Sequence, residues 1–307
     1  MNLQQKTIKK KLVLEGIALH SGALVKIALI PSEENTGIIF LRTDLKKNSV
    51  IKACWKNIVT ASLCTKISNK YGASVSTIEH LMFSFYALGI TNLLIEINGP
   101  EIPIMDGSSK IFIDEILNNG LLNQKSKVSD LIIKKTFTVG DKDRFIRYEP
   151  SQTSSLEIDY TLEYKDQFIK KQNFRSKDVR KNVLDIAHTR TFCHQEDLEK
   201  IFAMGLAKGG SLDNAIIISG NKILNQGGLR CKNEFVKHKT LDCLGDLYLS
   251  NHFINGKITC NQGGHELTGL LLKKIFKDKK NYTIENSDLS ASFREKSFNS
   301  KEIQVVV

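Results

Sequence analysis

The chain has 307 residues, of which 41% are hydrophobic and 25% charged, with four prolines and 20 glycines. At about 150 residues per domain, this length predicts two domains. The composition excludes a disulfide-held mini-protein, a collagen-like chain and a largely disordered one. The formal charge of +11 favours acidic partners such as phosphates, nucleic acid or an anionic surface, although lysines scattered among polar residues are equally typical of a solvated surface.

The cysteines and the N-terminal stretch indicate where the protein works. The six cysteines contain no CxxC pair, which excludes a zinc ribbon and a thioredoxin-like motif and favours reduced thiols. The N-terminal apolar stretch is interrupted by Glu15, His20 and Lys26, so it is too polar for a signal peptide. No stretch approaches about 18 consecutive apolar residues. We therefore predict a cytoplasmic protein without a membrane span.

Strand patterns precede helix patterns in each half of the chain. The first half predicts a strand, a turn at Gly22 and a strand over 7–30, strands over 36–42, 58–67 and 92–98, and helices over 76–88 and 109–118. The polar stretch 123–130 is typical of a linker. The second half predicts strands over 131–139, 144–148 and 156–164, and helices over 177–187, 234–249 and 266–277. This order predicts a duplicated α+β unit, with domains over 1–124 and 125–307.

Three polar side chains share one stripe of the predicted helix 234–249. His238 and Asp242 are four residues apart, which places them one turn apart on the same face, and Asp246 extends the stripe by another turn. The spacing suits a surface ion pair, and it equally suits two ligands of one Zn²⁺ ion. The rest of this helix is rather apolar, so the stripe is expected to be either solvated or functional.

The sequence Ser76-Thr77-Ile78-Glu79-His80 opens the predicted helix 76–88. Ser76 followed three residues later by Glu79 is the pattern of a capping box, and taken alone the spacing favours that structural role. The functional alternative is a metal ligand, His80, beside a carboxylate that acts as a base. The residues themselves leave both interpretations open.

His265 follows two glycines at the start of the predicted helix 266–277. The free N–H groups of a helix start lower the pKa of a histidine, so a cationic role needs a nearby carboxylate, for which Asp246 is a candidate. The alternative is an ordinary histidine at a helix start. The sequence contains no zincin motif, GxSxG elbow, P-loop or GxGxxG, so none of these enzyme classes has motif support.

Seven short segments together resemble one enzyme family. In chain order they are LHSG at 19–22, STIEHL at 76–81, GPEIPIMDGS at 99–108, RTF at 190–192, GGS at 209–211, HKTLDCLGD at 238–246 and GH at 264–265. The same segments occur in this order in UDP-3-O-acyl-N-acetylglucosamine deacetylases, and the resemblance extends to about residue 277. It implies a cytoplasmic, metal-dependent amidase that releases acetate from a UDP-linked acylated glucosamine. This reaction is the committed step of lipid A synthesis in Gram-negative bacteria.

The resemblance also implies a fold and a catalytic centre. The fold is two similar α+β domains, each a sheet layered against helices, with the active site between them. His80, His238 and Asp242 are implied as ligands of one Zn²⁺ ion, with Fe²⁺ as an alternative metal. Glu79 is implied as the general base and His265 as the cationic acid.

Other residues are implied to assist catalysis or bind substrate. Asp246 would orient and charge His265, Thr191 would polarise the carbonyl group, and Lys239 would contact the substrate. An insert at about 193–218 would form an apolar passage for the acyl chain, with the candidates Leu198, Met204, Leu206, Leu212 and Ile217. The further substrate contacts are Leu19, His20, Phe192, Tyr160 against the uracil ring and Arg144 on phosphate.

Two departures from the family pattern and two rival functions complete the sequence evidence. Gln262 stands where a relative can carry a basic residue, and Thr268-Gly269 replace a more usual Asn pair; both are expected to affect nucleotide affinity rather than hydrolysis.

A nucleic-acid-binding protein is supported only by the charge, because no RNP, KH or zinc-finger pattern occurs. An inactive scaffold relative would lack a ligand or the base, and none is missing. We expect a monomer that binds the UDP-sugar and no nucleic acid.

Overall fold

The computed structural model describes residues 4–153, 155–164 and 168–285. The elements of the first half are β1 (Gln4–Ile8), β2 (Leu12–Ile17), β3 (Leu24–Pro31), β4 (Ile38–Arg42), β5 (Val50–Lys52), β6 (Ile58–Val59), β7 (Lys66–Ser68), β8 (Ser74–Ser76), α1 (Glu79–Leu88), β9 (Leu93–Ile97), α2 (Lys110–Asn119) and β10 (Leu121–Lys127). Those of the second half are β11 (Asp130–Ile133), β12 (Phe137–Gly140), β13 (Phe145–Glu149), β14 (Leu156–Glu163), β15 (Lys171–Ser176), α3 (Val183–Ala187), β16 (Phe192–His194), α4 (Leu198–Ala203), β17 (Ile216–Ser219), β18 (Lys222–Ile223), α5 (Glu234–Leu247), β19 (Phe253–Ile254), β20 (Gly256–Asn261), α6 (His265–Phe276) and β21 (Tyr282–Glu285).

The two halves contain five-stranded sheets of the same topology. The strand orders are β2-β3-β9-β4-β5 and β12-β13-β20-β14-β15. In both sheets the third and fourth strands are parallel, β9 with β4 and β20 with β14, and the other neighbours are antiparallel. The α+β class with two similar units is therefore confirmed, while the predicted division at residue 124 stays a prediction.

The two helices that carry the candidate site lie in the interior. Every residue of α1 from Glu79 to Tyr86 is buried, and α5 is buried over almost its whole length. A helix that is buried on all sides needs apolar neighbours all round. Both helices contribute to one hydrophobic cluster that also includes the inner faces of the two five-stranded sheets. Among the described residues no helix is long and apolar enough to cross a bilayer.

Helices α1 and α5 approach each other at a glycine. A Cβ atom added to Gly245 would lie 2.1 Å from the carbonyl oxygen of Glu79, which is far inside van der Waals contact. Only glycine therefore allows this approach. It brings the start of α1, with Glu79 and His80, beside the His238–Asp242 turn of α5.

Gly245→Ala is expected to separate α1 from α5, because the obstructing atom belongs to the backbone and cannot rotate away. Overpacking of this kind costs about 1–3 kcal/mol of stability, and we expect the variant to bind metal less tightly as well. Melting temperature and metal content measure the two effects. Gly269→Ala on α6 is the control, since its Cβ would meet only the side chain of Ile58, at 3.2 Å. A Gly245→Ala protein with wild-type stability and metal content would contradict this account.

The predicted capping box is wrong. Ser76 ends strand β8, where it pairs with Lys66, and its hydroxyl donates to the carbonyl of Pro100 at 3.2 Å. Helix α1 begins only at Glu79, without a side-chain cap. Ser76 is part of a sheet and does not lie at the helix start, so it cannot cap α1. The Glu79 carboxylate accordingly accepts the N–H of Thr65 rather than that of Ser76.

Several predicted boundaries also change. The expected linker at 123–130 is largely strand β10, which pairs with β1. The predicted strand 131–139 is two strands in different sheets, β11 and β12, and 58–67 is likewise split into β6 and β7. Within 177–187 only α3 is α-helical, after a 3-10 turn. The helices predicted at 109–118, 234–249 and 266–277 are confirmed to within two residues at each end.

Candidate active site

Three buried side chains from α1 and α5 converge on one point. The ligand atoms of His80, His238 and Asp242 all lie within 4.8 Å of one another. Asp242 Oδ1 is 3.5 Å from His80 Nε2 and 3.4 Å from His238 Nε2. Among the described residues this oxygen accepts no hydrogen bond. A buried carboxylate oxygen without a donor is costly, so the arrangement fits a cation held between the three atoms.

The protonation states of His238 and Asp242 suit a metal. His238 Nδ1 lies 3.0 Å from the carbonyl oxygen of Thr189, which places the ring proton on Nδ1 and leaves the Nε2 lone pair free. Burial lowers the pKa of His238 to about 3, so the ring is neutral. Burial opposes ionisation of Asp242, but neighbouring positive charge, including that of Lys239, outweighs it and holds its pKa well below the usual range. Two imidazoles and one carboxylate fit both Zn²⁺ and Fe²⁺.

Lys239 lies at the edge of this cluster. Its Nζ is 2.6 Å from Asp242 Oδ2, the oxygen that does not face the histidines. Burial alone would lower the pKa of Lys239, but the Asp242 charge outweighs it, and the net shift is upward. The ammonium group is therefore charged, and it holds the carboxylate in one orientation.

Glu79 lies beside the cluster with one free carboxylate oxygen. Its Oε2 accepts a hydrogen bond from the backbone N–H of Thr65 at 3.0 Å. Its Oε1 lies 3.7 Å from His265 Nε2. Burial raises the pKa of this carboxyl group, although His265 and His80 oppose the shift. A carboxylate with a raised pKa and one unoccupied oxygen is suited to accept a proton near neutral pH.

His265 forms a charged pair with Asp246. Its Nδ1 lies 2.9 Å from Asp246 Oδ2, and both are near the hydroxyl of Thr65. Burial works against the protonated ring, but the charges of Asp246 and Glu79 outweigh it and raise the pKa of His265 to about 9. Asp246 is therefore close enough to be the carboxylate partner that a cationic His265 needs.

A cavity of about 1220 Å³ reaches the edge of this site, where Lys239 and His265 line it. Most of the residues predicted to act on substrate line it: Leu19, His20, Arg144, Thr191, Phe192, Leu198, Leu212, Ile217, Lys239 and His265. One end is apolar and is formed by α4, the residues that follow it and β17. The other end is polar and contains Arg144, Asn261 and Gln262. The shape suits a ligand with an apolar tail and a polar head.

The structure contradicts one predicted substrate contact, that of Tyr160 with a uracil ring. Its side chain is only 1% exposed, and a Cβ on Gly263 would lie 2.6 Å from its hydroxyl, so the ring lies under the backbone and cannot stack on a base. Leu162 is two residues further along β14 and lines the cavity instead. Side chains at this spacing face the same way, but only the end of the strand reaches the cavity.

Two other predicted contacts also lie off the cavity wall. Met204 and Leu206 follow helix α4, and neither lines the cavity, whereas Ile201 and Phe202 on α4 do. Met204 is instead 57% exposed. The insert around 193–218 therefore supplies a wall of the cavity, with apolar side chains from α4 and, after it, from Leu212 and Ile217.

Hydrogen bonds and an ion pair hold Arg144 and Gln262 in place at the polar end of the cavity. Arg144 Nε donates to the carbonyl of Gln262 at 3.2 Å, and its guanidinium lies 3.6 Å from Glu266. Gln262 donates its side-chain amide to the carbonyl of Glu163. Arg144 is thus the cation at this end of the lining, and Gln262 contributes no charge there.

Two threonines of the site are not signalled by the sequence. Thr189 supplies the carbonyl that orients His238, and Thr65 contacts Glu79, Asp246 and His265. A backbone carbonyl leaves no trace in residue type, and Thr65 has no local pattern because Asp246 is 181 residues away. Only the folded geometry identifies them.

Comparison with known proteins gives a consistent result. The family description UDP-3-O-acyl N-acetylglycosamine deacetylase matches residues 5–277. A UDP-3-O-acyl-N-acetylglucosamine deacetylase of Haemophilus ducreyi is 41% identical over 280 residues, which cover 90% of this chain and 91% of the relative. Proteins of the same name from Campylobacter hominis and a Nitratiruptor species are 41% and 40% identical, over 93% and 92% of this chain and 96% and 93% of their own lengths.

Proposed function

The chain belongs to the UDP-3-O-acyl-N-acetylglucosamine deacetylase family, and we propose that it hydrolyses the acetamide of a UDP-linked, 3-O-acylated N-acetylglucosamine and releases acetate. This is the committed step of lipid A synthesis. One observation carries the proposal: His265, which lines a cavity with one apolar end, contacts a free carboxylate oxygen of Glu79 beside a cluster of three possible metal ligands. We place the reaction in the cytoplasm, where the six cysteines, all free thiols, stay reduced.

His80, His238 and Asp242 would hold one divalent cation, Zn²⁺ or Fe²⁺. When bound there, such a cation supplies Lewis-acid polarisation of a water and of the amide carbonyl group. Lys239 keeps Asp242 ionised and in place through its contact with Oδ2. The carbonyl of Thr189 keeps the His238 ring neutral, with Nε2 turned toward the other two ligands.

Glu79 and His265 would move the protons of the reaction. Glu79 Oε1 takes a proton from the attacking water, since Oε2 is engaged by the Thr65 N–H. His265 Nε2 gives a proton to the departing amine, while Asp246 holds the Nδ1 proton. The amide C–N bond breaks, and the products are acetate and the free amine. One group must be ionised and the other protonated at the same pH. The charges of Asp246 and Glu79 raise the pKa of His265, and His265 in turn opposes the burial that raises the pKa of Glu79.

Thr191 and Lys239 both line the cavity, and in the proposed reaction they would lie beside the carbonyl group of the acetamide. The backbone of Thr191 is held on both sides, by Gly107 and Ile216, at 2.8 Å each. A fixed position of this kind suits a group that polarises a carbonyl oxygen. The ammonium group of Lys239 would add positive charge beside the developing oxyanion.

Acetate release tests the proposal directly. The purified protein supplied with Zn²⁺ should deacetylate the 3-O-acylated UDP-sugar at least ~10²-fold more efficiently than UDP-N-acetylglucosamine, which lacks the acyl chain. Burial of about four methylenes of that chain in the apolar end of the cavity, at ~0.8 kcal/mol each, supplies about 3 kcal/mol. The comparison uses kcat/KM, with size-exclusion chromatography to test the predicted monomer. Metal-loaded protein that releases no acetate, or equal efficiency on both compounds, would overturn the proposal.

Asp246→Asn should shift the basic limb of the pH–rate profile to lower pH. His265 acts protonated, so the rate falls as pH rises through its pKa, which the charges of Asp246 and Glu79 hold at about 9. Loss of the Asp246 charge lowers that pKa, and a neighbouring opposite charge is typically worth about 1–3 pH units. We therefore expect the limb to move by at least about one unit, with a lower maximum rate.

The control for this variant is Asp159→Asn, which breaks an ion pair with the exposed Arg175. The limb of this control should stay where it is in the wild type. An Asp246→Asn profile with an unmoved basic limb would mean that His265 is not the acid, and Lys239 would be the next candidate.

A further inference from the structure

The buried hydroxyl of Thr65 contacts two side chains of the proposed catalytic site, Asp246 and His265. Thr65 directly precedes strand β7 and is only 4% exposed. Its hydroxyl lies 2.5 Å from Asp246 Oδ1 and 3.0 Å from His265 Nδ1. Since His265 Nδ1 also lies 2.9 Å from Asp246 Oδ2, the three side chains form a closed triangle of hydrogen bonds.

The donors and acceptors of this triangle can all be satisfied at once. The hydroxyl of Thr65 donates to the Asp246 carboxylate, and its oxygen faces the Nδ1–H of His265. That Nδ1–H also faces Asp246 Oδ2. Neither carboxylate oxygen of Asp246 is then left without a donor, which matters for a charge that is only 2% exposed.

The backbone of the same residue reaches the proposed base. The N–H of Thr65 donates to Glu79 Oε2 at 3.0 Å, which leaves Oε1 facing His265 Nε2. One residue therefore contacts both the proposed base and the proposed acid with its carboxylate partner. Its backbone N–H binds Glu79, and its hydroxyl contacts Asp246 and His265.

Other buried threonines of the chain use their hydroxyls differently. Thr240 donates to the carbonyl of Val236 in its own helix, at 2.9 Å, and Thr189 donates to Ile186 three residues earlier, at 2.6 Å. Such local bonds satisfy a buried hydroxyl without any functional partner. The hydroxyl of Thr65 instead contacts side chains 181 and 200 residues away, so a purely local role does not explain it.

We propose that Thr65 is a positioning residue that acts through Asp246 to hold His265 in the orientation that gives its Nε2 proton to the leaving amine. The inference rests on the proposed deacetylase function. Without the hydroxyl, Asp246 Oδ1 loses its donor, and the carboxylate can turn away from His265. Displacement of a catalytic group by about 1 Å can cost about 10²-fold in rate.

Thr65→Val and Thr65→Ser separate the hydroxyl from the rest of the residue. Valine has nearly the shape of threonine and keeps the N–H that serves Glu79, so only the hydroxyl is lost. We expect Thr65→Val to lower kcat about 10- to 100-fold, with KM within about twofold of the wild type and metal content unchanged. Thr65→Ser should recover most of the loss. Thr240→Val is the matched control and should keep wild-type kcat, because its hydroxyl bonds only within α5.

A double-mutant cycle identifies the route of the effect. If Thr65 acts through Asp246, adding Thr65→Val to Asp246→Asn should change kcat by less than about threefold, because the group it positions is already lost. Full multiplication of the two losses would overturn the inference. The same holds for a Thr65→Val protein with wild-type kcat and only a lower melting temperature, and for serine being no better than valine.

The wild-type reaction keeps this test distinct from that of the proposed function. If the wild-type protein releases no acetate from the acylated UDP-sugar, the proposed function fails, and the inference fails with it. If the wild type is active and the cycle is multiplicative, only the role of Thr65 is refuted. Metal content and melting temperature, measured on every variant, exclude loss of the metal or of the fold as the cause of a lower rate.

Discussion

His238→Ala is expected to abolish both metal binding and deacetylation. The variant removes one of the three side chains that, within the described part of the chain, converge on the proposed metal position. Loss of an outer partner of a ligand already costs ~10–100-fold in affinity or activity, so loss of a ligand itself should cost more, leaving activity below about 1%. Metal analysis of protein purified without added metal, beside acetate release, measures both effects. The wild type should hold one divalent ion per chain.

His252→Ala is the matched control for this variant. His252 is half-buried, and its Nδ1 likewise lies against a backbone carbonyl, that of Ser129 at 3.2 Å. It is not part of the proposed metal-binding triad, so its replacement should affect stability and leave metal content intact. Full metal occupancy in His238→Ala would refute the ligand assignment, whatever the activity.

The sequence predicts local parts of this site better than distant ones. The His238–Asp242 spacing places two groups on one helix face because the helical period is fixed. Nothing in that period says that His80, 158 residues earlier, completes the triad. That expectation came from resemblance to a family, and the structure brings the three side chains together. Their roles as ligands remain predictions.

The errors of the sequence analysis have a common physical cause. Ser76 has the spacing of a capping box, but it is taken up by pairing with Lys66 and by its bond to Pro100. The polar stretch 123–130 looked like a linker, but β1 offers it a pairing edge. Tyr160 lies under Gly263 rather than at the cavity. In each case a partner distant in sequence decided the outcome.

The duplicated sheet unit explains how distant residues meet. Each half builds one sheet of the same topology, and a helix from each half, α1 and α5, is buried against the other. The close approach at Gly245 then fixes their separation. The start of α1 supplies Glu79 and His80, and the middle of α5 supplies His238 and Asp242. A site built this way depends on the contact between the two halves rather than on either half alone.

Glu79→Gln should keep the metal and lose the reaction. Glutamine has nearly the same shape, and its Oε1 can still accept the N–H of Thr65, so the fold is preserved. It cannot accept a proton from water, and loss of a general base typically costs about 10²–10⁴-fold in rate. We therefore expect kcat to fall by that factor, with metal content equal to that of the wild type. Replacement by alanine is less informative, because it would also leave the buried N–H of Thr65 without an acceptor.

Glu101→Gln is the control for a purely structural carboxylate. Glu101 is 2% exposed, and its oxygens accept the N–H groups of His20 and Ser21 and the hydroxyl of Thr77. Its replacement should lower the melting temperature and leave kcat per folded molecule within a few-fold of the wild type. If Glu79→Gln behaved in the same way, with reduced stability and near-normal turnover, Glu79 would be structural too. The proton acceptor would then have to be another group at the cavity wall.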